Sequence, residues 1–217
     1  MIEVARKLSI ATRIGQVRYA ARNLAQAVSE SRTNYWASYV TDFTCPFLFA
    51  YFGMRHEWSW LSTIRSCMSG VAVFSLIEYS THRWLLHDQK SVLFQLHEAH
   101  HNNPEKHSAF FFPTSIVVLT LVWLLLAKAL HIQSASFFIC GIATGYCYFG
   151  ALHHLEHTTR INQIPFRWLQ KRWAAHSVHH HLDRSNFGVI SSFWDDCFWT
   201  QQNKKKRMRF GMQLRNK

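Results

Sequence analysis

The chain has 217 residues, a formal net charge of +12 and 48% hydrophobic residues, with 17 Phe and 9 Trp. That length bounds it to one domain, or one membrane bundle with appendages, and so basic and aromatic a composition points to either nucleic acid or anionic lipid as its surroundings. Four long apolar runs decide for the membrane and exclude a nucleic-acid binder, while five scattered cysteines with no CxxC pair exclude a secreted disulfide framework and read as buried thiols in a reducing context.

Residues 1–35 place Val4, Leu8, Ala11, Ile14, Val17, Ala21, Leu24 and Val28 three or four apart, with Arg6, Lys7, Arg13, Arg18 and Arg22 on the remainder. That is one helical face on a basic helix, suited to lying on an anionic membrane surface. An Arg-rich, acid-poor targeting segment fits the same residues, as does a solvated helix packed on its own domain. Residues 36–200 form the membrane domain. Its first apolar segment, 36–54, carries Asp42 and Pro46, the latter expected to kink it; the others are 66–85, 110–130 and 135–155. Each is about 20 residues, the length that crosses a ~30 Å hydrocarbon core as a helix. Glu78 and His82, inside the second, would be costly in lipid and so should face the bundle interior. Residues 161–175 read as amphipathic and basic, 187–198 as an aromatic stretch that caps the site or lies in the interface, and 201–217 as a basic tail whose KKKRMR run (Lys204 to Arg209) contacts lipid headgroups or solvent.

The expected fold is therefore all-α: an integral, multi-pass bundle of four transmembrane helices with a cytosolic helical cap. Four crossings put the N-terminal segment, the stretch 86–109 and the C-terminal tail on one side. Of the 24 Lys and Arg, only Arg55, Arg65 and Lys128 fall near the other side, so the populated face is cytoplasmic. The membrane would be the endoplasmic reticulum or a bacterial inner membrane.

Histidines collect on that same face, in His82 and His87, in His97, His100 and His101, in His153, His154 and His157, and in His176, His179, His180 and His181. Imidazole is the commonest metal ligand among side chains. His97, His100 and His101 stand at i, i+3 and i+4, as do His176, His179 and His180, so each triplet is expected to aim three nitrogens at a common centre. His153 and His157 share a face at i and i+4. His82 and His87 would diverge by about 140° on a straight helix at ~100° per residue, which demands a break between them. Ten candidate ligands exceed one tetrahedral zinc and suit two ions with about four or five ligands each. Glu78, Asp195, Glu98, Glu156 and Asp183 are available to hold imidazole N–H groups from outside. His154 and His181 read as neighbours of the ligands, and His56 and His131 fall on the opposite side.

With these motifs assembled, the chain resembles the fatty acid hydroxylase superfamily of membrane di-metal oxygenases, and within it the fatty-acid and sphingolipid 2-hydroxylases. The resemblance runs from about Val73 to Thr200. SLIEYSTHRWLLH resembles that group's E-Y-x-x-H-R-x-x-x-H helix end, HEAHHNNP its HGxHHxxP stretch, HHLEH its HxxxH, and HSVHHHLDRSNFGVISSFWDDCFWT its HxxHH…WDxxFxT ending. The resemblance implies that His82, His87, His97, His100, His101, His153, His157, His176, His179 and His180 ligate two iron ions, which zinc can replace in purified samples. It departs at Phe149, where the family often has Tyr, and residues 1–35 match no familiar segment.

The resemblance further implies an O₂-dependent monooxygenase that hydroxylates an acyl chain of a membrane lipid, with electrons from a separate donor of cytochrome b5 or ferredoxin type. A sterol or carotenoid oxidase, or a desaturase, would use the same histidines. A metal transporter belongs to another class, but transport calls for ionisable groups near the bilayer midplane, whereas these clusters sit at one surface.

Overall fold

The structure, a computed structural model, describes residues 2–55, 59–91, 93–129, 131 and 134–202, with 2–11, 14 and 18 described by backbone alone. His56 and the Lys204–Arg209 run lie outside the described residues. Among those described, all regular structure is helical.

Four rods form the body: α2 (Arg32–Met54), α3 (Trp60–Thr81), α5 (Thr114–Leu124) continued by a π-helical turn over Leu125–Ala129, and α6 (Ala135–Thr158). Local chemistry sets their starts. Ser31 Oγ accepts the Asn34 N–H at 3.4 Å, and Ser59 Oγ accepts the Ser62 N–H at 3.2 Å. Pro113 stands immediately before α5, leaving Phe110–Phe112 outside the helix. The third apolar run is thereby shortened to Thr114–Ala129, about 24 Å at ~1.5 Å per residue. Asn34 fastens this entry to α2: it donates to the Phe110 carbonyl and accepts the Phe112 N–H, both at 3.0 Å.

Pro46 sits inside α2, which continues through it to Met54. Its missing N–H leaves the Asp42 carbonyl without an intrahelical donor, and the Cys147 thiol of α6 donates to that oxygen at 3.2 Å. α6 is the central rod, packed on both α3 and α2. At the α3–α6 crossing a Cβ on Gly70 would lie 2.1 Å from the Phe138 carbonyl oxygen, and one on Gly141 2.1 Å from that of Cys67. Any side chain there would force the helices apart, so this is a small-residue crossing of the kind membrane helices use.

The outward faces are apolar. Two helical stretches, Trp60–Leu86 and Ala135–Thr158, are long and apolar enough among the described residues to cross a bilayer; Thr114–Ala129 is apolar but shorter. In the most apolar window of each long stretch, 11% of the first is buried and 50% of the second. α3 is thus an apolar helix whose surface the rest of the chain covers little, and its outward Met68 is 63% exposed.

α1 (Ile2–Ser29) meets α2 and α4, and Val17 and Leu24, from the expected apolar face, are 68% and 66% exposed. Over the ends of α3 and α6 lie α4 (Phe94–Asn102), α7 (Arg167–His179) and a loop carrying α8 (Phe193–Cys197). The amphipathic, basic stretch 161–175 is helical as α7 only from Arg167: a 3-10 turn, Ile161–Gln163, precedes it, and Pro165 disfavours helix in the residue before it.

Candidate metal centre

The ten histidines converge into two groups of five. His82, His87, His97, His101 and His179 form the first, and His100, His153, His157, His176 and His180 the second; within each, one ring nitrogen per residue lies within 4.8 Å of all the others. The break between His82 and His87 is a π-helical turn, His82–Leu86. Its i→i+5 repeat stacks residues five apart, so it brings together two rings that an α-helix would separate.

The triplets do not each serve one centre. His97 and His101 of α4 enter the first group and His100 the second; His176 and His180 of α7 enter the second and His179 the first. The cause is helical geometry: at ~100° per residue, positions i and i+4 differ by about 40°, while i+3 and i+4 differ by about 100°. An i,i+4 pair shares a target, and the i+3 residue points past it to the other side. The second group is thus two such pairs plus His100 borrowed from α4, and the first is one such pair, the His82/His87 pair joined by the π turn, and His179 borrowed from α7.

Ring nitrogens meet one another in greater number than hydrogen bonding alone can satisfy. His97 Nε2 lies 3.1 Å from His82 Nε2, 3.1 Å from His87 Nε2 and 3.0 Å from His101 Nε2. In the second group His176 Nε2 is 2.9 Å from His157 Nε2 and 3.0 Å from His180 Nε2. An imidazole nitrogen is either one donor or one acceptor, so three such contacts at His97 cannot all be satisfied by protons. Lone pairs aimed at a shared cation satisfy them together.

The outer nitrogens fix the tautomers. His82 Nδ1 donates to the Phe187 carbonyl, His179 Nδ1 donates to the Ser185 carbonyl at 2.8 Å, and His101 Nδ1 lies 3.2 Å from Asp183 Oδ1. A proton on Nδ1 leaves Nε2 bare and directed inward. Burial holds His87 down to about 4 and His100 and His179 to about 3, and it pushes His176 and His180 far below the usual imidazole range, with neighbouring imidazoles adding to the effect. The rings outside the two long apolar helices are therefore neutral at pH 7, the form that binds metal. A purely nitrogen donor set suits iron, zinc, copper or nickel rather than magnesium or calcium.

The expected supporting carboxylates separate into three kinds. Asp183 meets His101 directly, and Glu156 Oε2 approaches His176 Nδ1 at 3.6 Å. Asp195 and Glu78 act at one remove: Asp195 accepts the Phe187 and Gly188 N–H groups at 2.8 and 2.9 Å and the Thr200 hydroxyl at 2.7 Å, while Glu78 accepts the Val189 N–H at 2.8 Å. Together they fold the loop that presents the Phe187 carbonyl to His82, closing the aromatic stretch over the first group. Burial raises the Asp195 carboxyl, and those three hydrogen bonds oppose the rise. Glu98 is exposed and meets no histidine of either group.

Other histidines stand apart. His154 Nδ1 pairs with the Tyr35 hydroxyl at 2.7 Å, His107 stacks on the Tyr35 ring, and His181 Nδ1 donates to the Ser177 carbonyl at 2.7 Å. Phe149 stacks on His153 with centroids 5.6 Å apart. Sequence reasoning marked 187–198 as a capping or interfacial stretch but missed the main-chain oxygens of Ser185 and Phe187 that hold the rings, and Asn186, a φ 54° residue whose side chain ties the Ala175 carbonyl to Gln202.

A cavity of about 280 Å³ touches both groups, reaching His82 and His97 of the first and His100 and His153 of the second. A second space of about 340 Å³ adjoins it, walled by Phe74 and Ile77 of α3, by Phe110–Phe112 and by apolar residues of α5 and α6. These volumes fall at the scale of ~300–1,000 Å³ typical of small-molecule sites.

Comparison with known proteins gives one consistent answer. The profile of the fatty acid hydroxylase family matches residues 67–200. A dihydroceramide fatty acyl 2-hydroxylase of Arabidopsis thaliana is 30% identical over 60% of this chain and 58% of its own length. The ceramide very long chain fatty acid hydroxylase of Saccharomyces cerevisiae is 32% identical over 60% of this chain and 36% of its own, and the human fatty acid 2-hydroxylase 28% identical over 65% and 41%. The chain thus spans less than two thirds of these relatives. A solved structure described as full-length scs7p, with only its hydroxylase domain visible, superposes with a TM-score of 0.66 at 26% identity, covering 78% of this chain and 67% of that one.

Proposed function

Because the chain belongs to the fatty acid hydroxylase family, we propose that it is a membrane-bound, O₂-dependent lipid hydroxylase acting on an acyl chain. One observation carries this reading: the cavity beside the histidines borders two members of each group and adjoins a long apolar space. An acyl chain entering between the helices would lie in the apolar space with one of its carbons beside both ion sites.

The ten grouped histidines hold the two metal ions, proposed to be iron. When bound, such a pair supplies the activation of O₂ that aliphatic C–H hydroxylation needs, which side-chain acid–base groups cannot supply. The reaction balances as C–H plus O₂, two electrons and two protons giving an alcohol and water. The chain's own residues orient and exclude. Phe187, 4% exposed, packs edge-on against His82, His87 and His179 and closes the first group from the cap side. The Phe187 and Ser185 carbonyls hold two rings in the ligand tautomer, and Phe74, Ile77 and Phe149 keep the chain's path dry. The electrons come from a separate protein of cytochrome b5 or ferredoxin type, docking on the cytoplasmic histidine face. The proposed topology is four crossings, with α2 and α5 completing the two longer spans.

The test is mass spectrometry of lipids after anaerobic Fe(II) reconstitution and admission of ¹⁸O₂ with a chemical reductant. Label should appear in a lipid hydroxyl and vanish in His179→Ala. A protein that takes up no iron, or whose product carries no label, rules the reading out.

A further inference from the structure

Asp42 is a carboxylate in the middle of an otherwise apolar bundle, where ionisable groups are costly and rarely kept without a task. It does not touch either histidine group. It lines both the cavity beside the histidines and the apolar space beyond, and so does Tyr146 of α6, so these two residues mark the waist where the spaces meet. The remaining shared lining is Ser38, Phe74, Ile77 and Phe110. Ser38 is already committed, donating to the Asn34 and Tyr35 carbonyls at 3.0 and 2.9 Å.

Asp42 and Tyr146 keep capacity to spare. One carboxylate oxygen, Oδ1, accepts the Ser115 hydroxyl of α5. Neither Oδ2 nor the Tyr146 hydroxyl has a hydrogen bond among the described residues, neither atom is fully buried, and both residues line the two spaces. A carboxylate oxygen can only accept, whereas a phenol can donate. A group that both donates and accepts, facing the two together, satisfies both; a hydroxyl does this, and a methylene, a carboxylate or an ester does not. A plain alkyl chain drawn through the waist would instead strip water from Oδ2 and return nothing.

We propose that Asp42 and Tyr146 form a specificity site for a hydroxyl group carried on the lipid, deepening the proposed function on which the presence of a lipid in this cavity rests. Depth follows from the helix. Tyr35, Tyr39 and Asp42 lie at i, i+4 and i+7 on one face of α2, and Asp42 is about 10 Å further along the axis than Tyr35, at ~1.5 Å per residue. Tyr35 is level with His154, at the histidine end. The selected hydroxyl therefore stands several carbons away from the carbon presented to the ion sites, and the site reads a feature of the substrate remote from the reaction.

The experiment measures displacement of a fluorescent N-acyl amide from the full-length chain in detergent. The competitors are N-acyl amides of one length with a hydroxyl at successive carbons, and their deoxy counterpart. One narrow range of positions should bind about ten-fold or more tightly than the deoxy lipid, the size expected for leaving a buried acceptor unpaired. Tyr146→Phe, which removes a single oxygen, and Asp42→Leu should each bring that ratio towards one, while Asp42→Asn, which keeps an acceptor oxygen, should retain part of it. Equal binding at every position in the wild type, or a ratio unchanged by Tyr146→Phe, overturns the proposal. Because binding is read without turnover, a positional preference with no hydroxylation of any lipid would count against the proposed activity and leave the hydroxyl site standing.

Discussion

The two histidine groups are assembled to the same recipe and supported differently. Each combines two pairs of neighbouring histidines with one histidine from the far side: His82/His87, His97/His101 and His179 in the first, His153/His157, His176/His180 and His100 in the second. In the first, three outer nitrogens are held, two by main-chain carbonyls and one by Asp183. In the second, His100 Nδ1, His176 Nδ1 and His180 Nδ1 are buried without a hydrogen bond, and both oxygens of Glu156 are equally unpaired. A ring whose outer N–H is held has a fixed tautomer and direction before any ion arrives. The first group is therefore preorganised by a folded loop, and the second relies on helix packing to hold its rings.

The largest effect that could break this contrast comes from the two borrowed histidines. His179→Ala and His100→Ala should both abolish the proposed hydroxylation, which draws on both ions, but they should differ in retained metal. His100→Ala is expected to keep about one ion per chain after dialysis against a weak chelator, and His179→Ala to keep less. Elemental analysis of the purified chain reads this directly, and equal retention would show that the groups are equivalent.

Next in size is Asp195→Ala. It touches no histidine, yet it removes the acceptor for the Phe187 and Gly188 N–H groups and so loosens the carbonyl that holds His82. Loss of such outer support typically costs ~10–100-fold in metal affinity. The loss should fall on the tighter of two binding phases in a Co(II) titration followed by absorbance. A fall confined to the weaker phase would reverse the contrast.

Acid tests what the groups share. His87 at about 4 and His100 and His179 at about 3 are depressed by burial from an unfolded value of about 6.5. Below pH 6.5 the unfolded chain binds protons that the folded metal-free chain refuses, so stability rises with pH across that window and is lost as pH falls through it towards 3–4. Thermal melts of the metal-free chain should thus shift down by several degrees between pH 7 and pH 5. A melting temperature flat over that range would mean that these rings are already open to water.

Much of this was legible in the residues, for reasons that also say where legibility stops. Imidazole is chemically conspicuous, so all ten grouped histidines stood out, and the five-residue gap from His82 to His87 required a break that proved to be a π turn. The division of labour within each triplet was misread, because sharing a helical face is a looser condition than sharing a centre: the 100° between i+3 and i+4 decides it once there are two centres to choose between. The anchors at Ser185 and Phe187 left no trace, since every residue carries a carbonyl. Apolarity located the rods but overran the start of α5, where Pro113 sets the boundary and frees Phe110–Phe112 to wall the apolar space.

The smallest effect bears most finely on the contrast. Glu156 is a buried acid beside His176 at 3.6 Å, too far for a strong hydrogen bond and nearer to that than to any other role. If the second group tightens when its ion binds, a small turn of the His176 ring brings Nδ1–H onto Glu156, and the carboxylate then supports the ring as Asp183 supports His101. Glu156→Gln keeps an oxygen that can accept that proton and should weaken the second ion by about two- to five-fold, below the ~10–100-fold of a lost partner. Glu156→Leu removes the acceptor and should reach that larger range, at the weaker titration phase alone. Were Glu156→Leu silent, the second group would hold its ion by packing only, and the difference between the two groups would be one of kind.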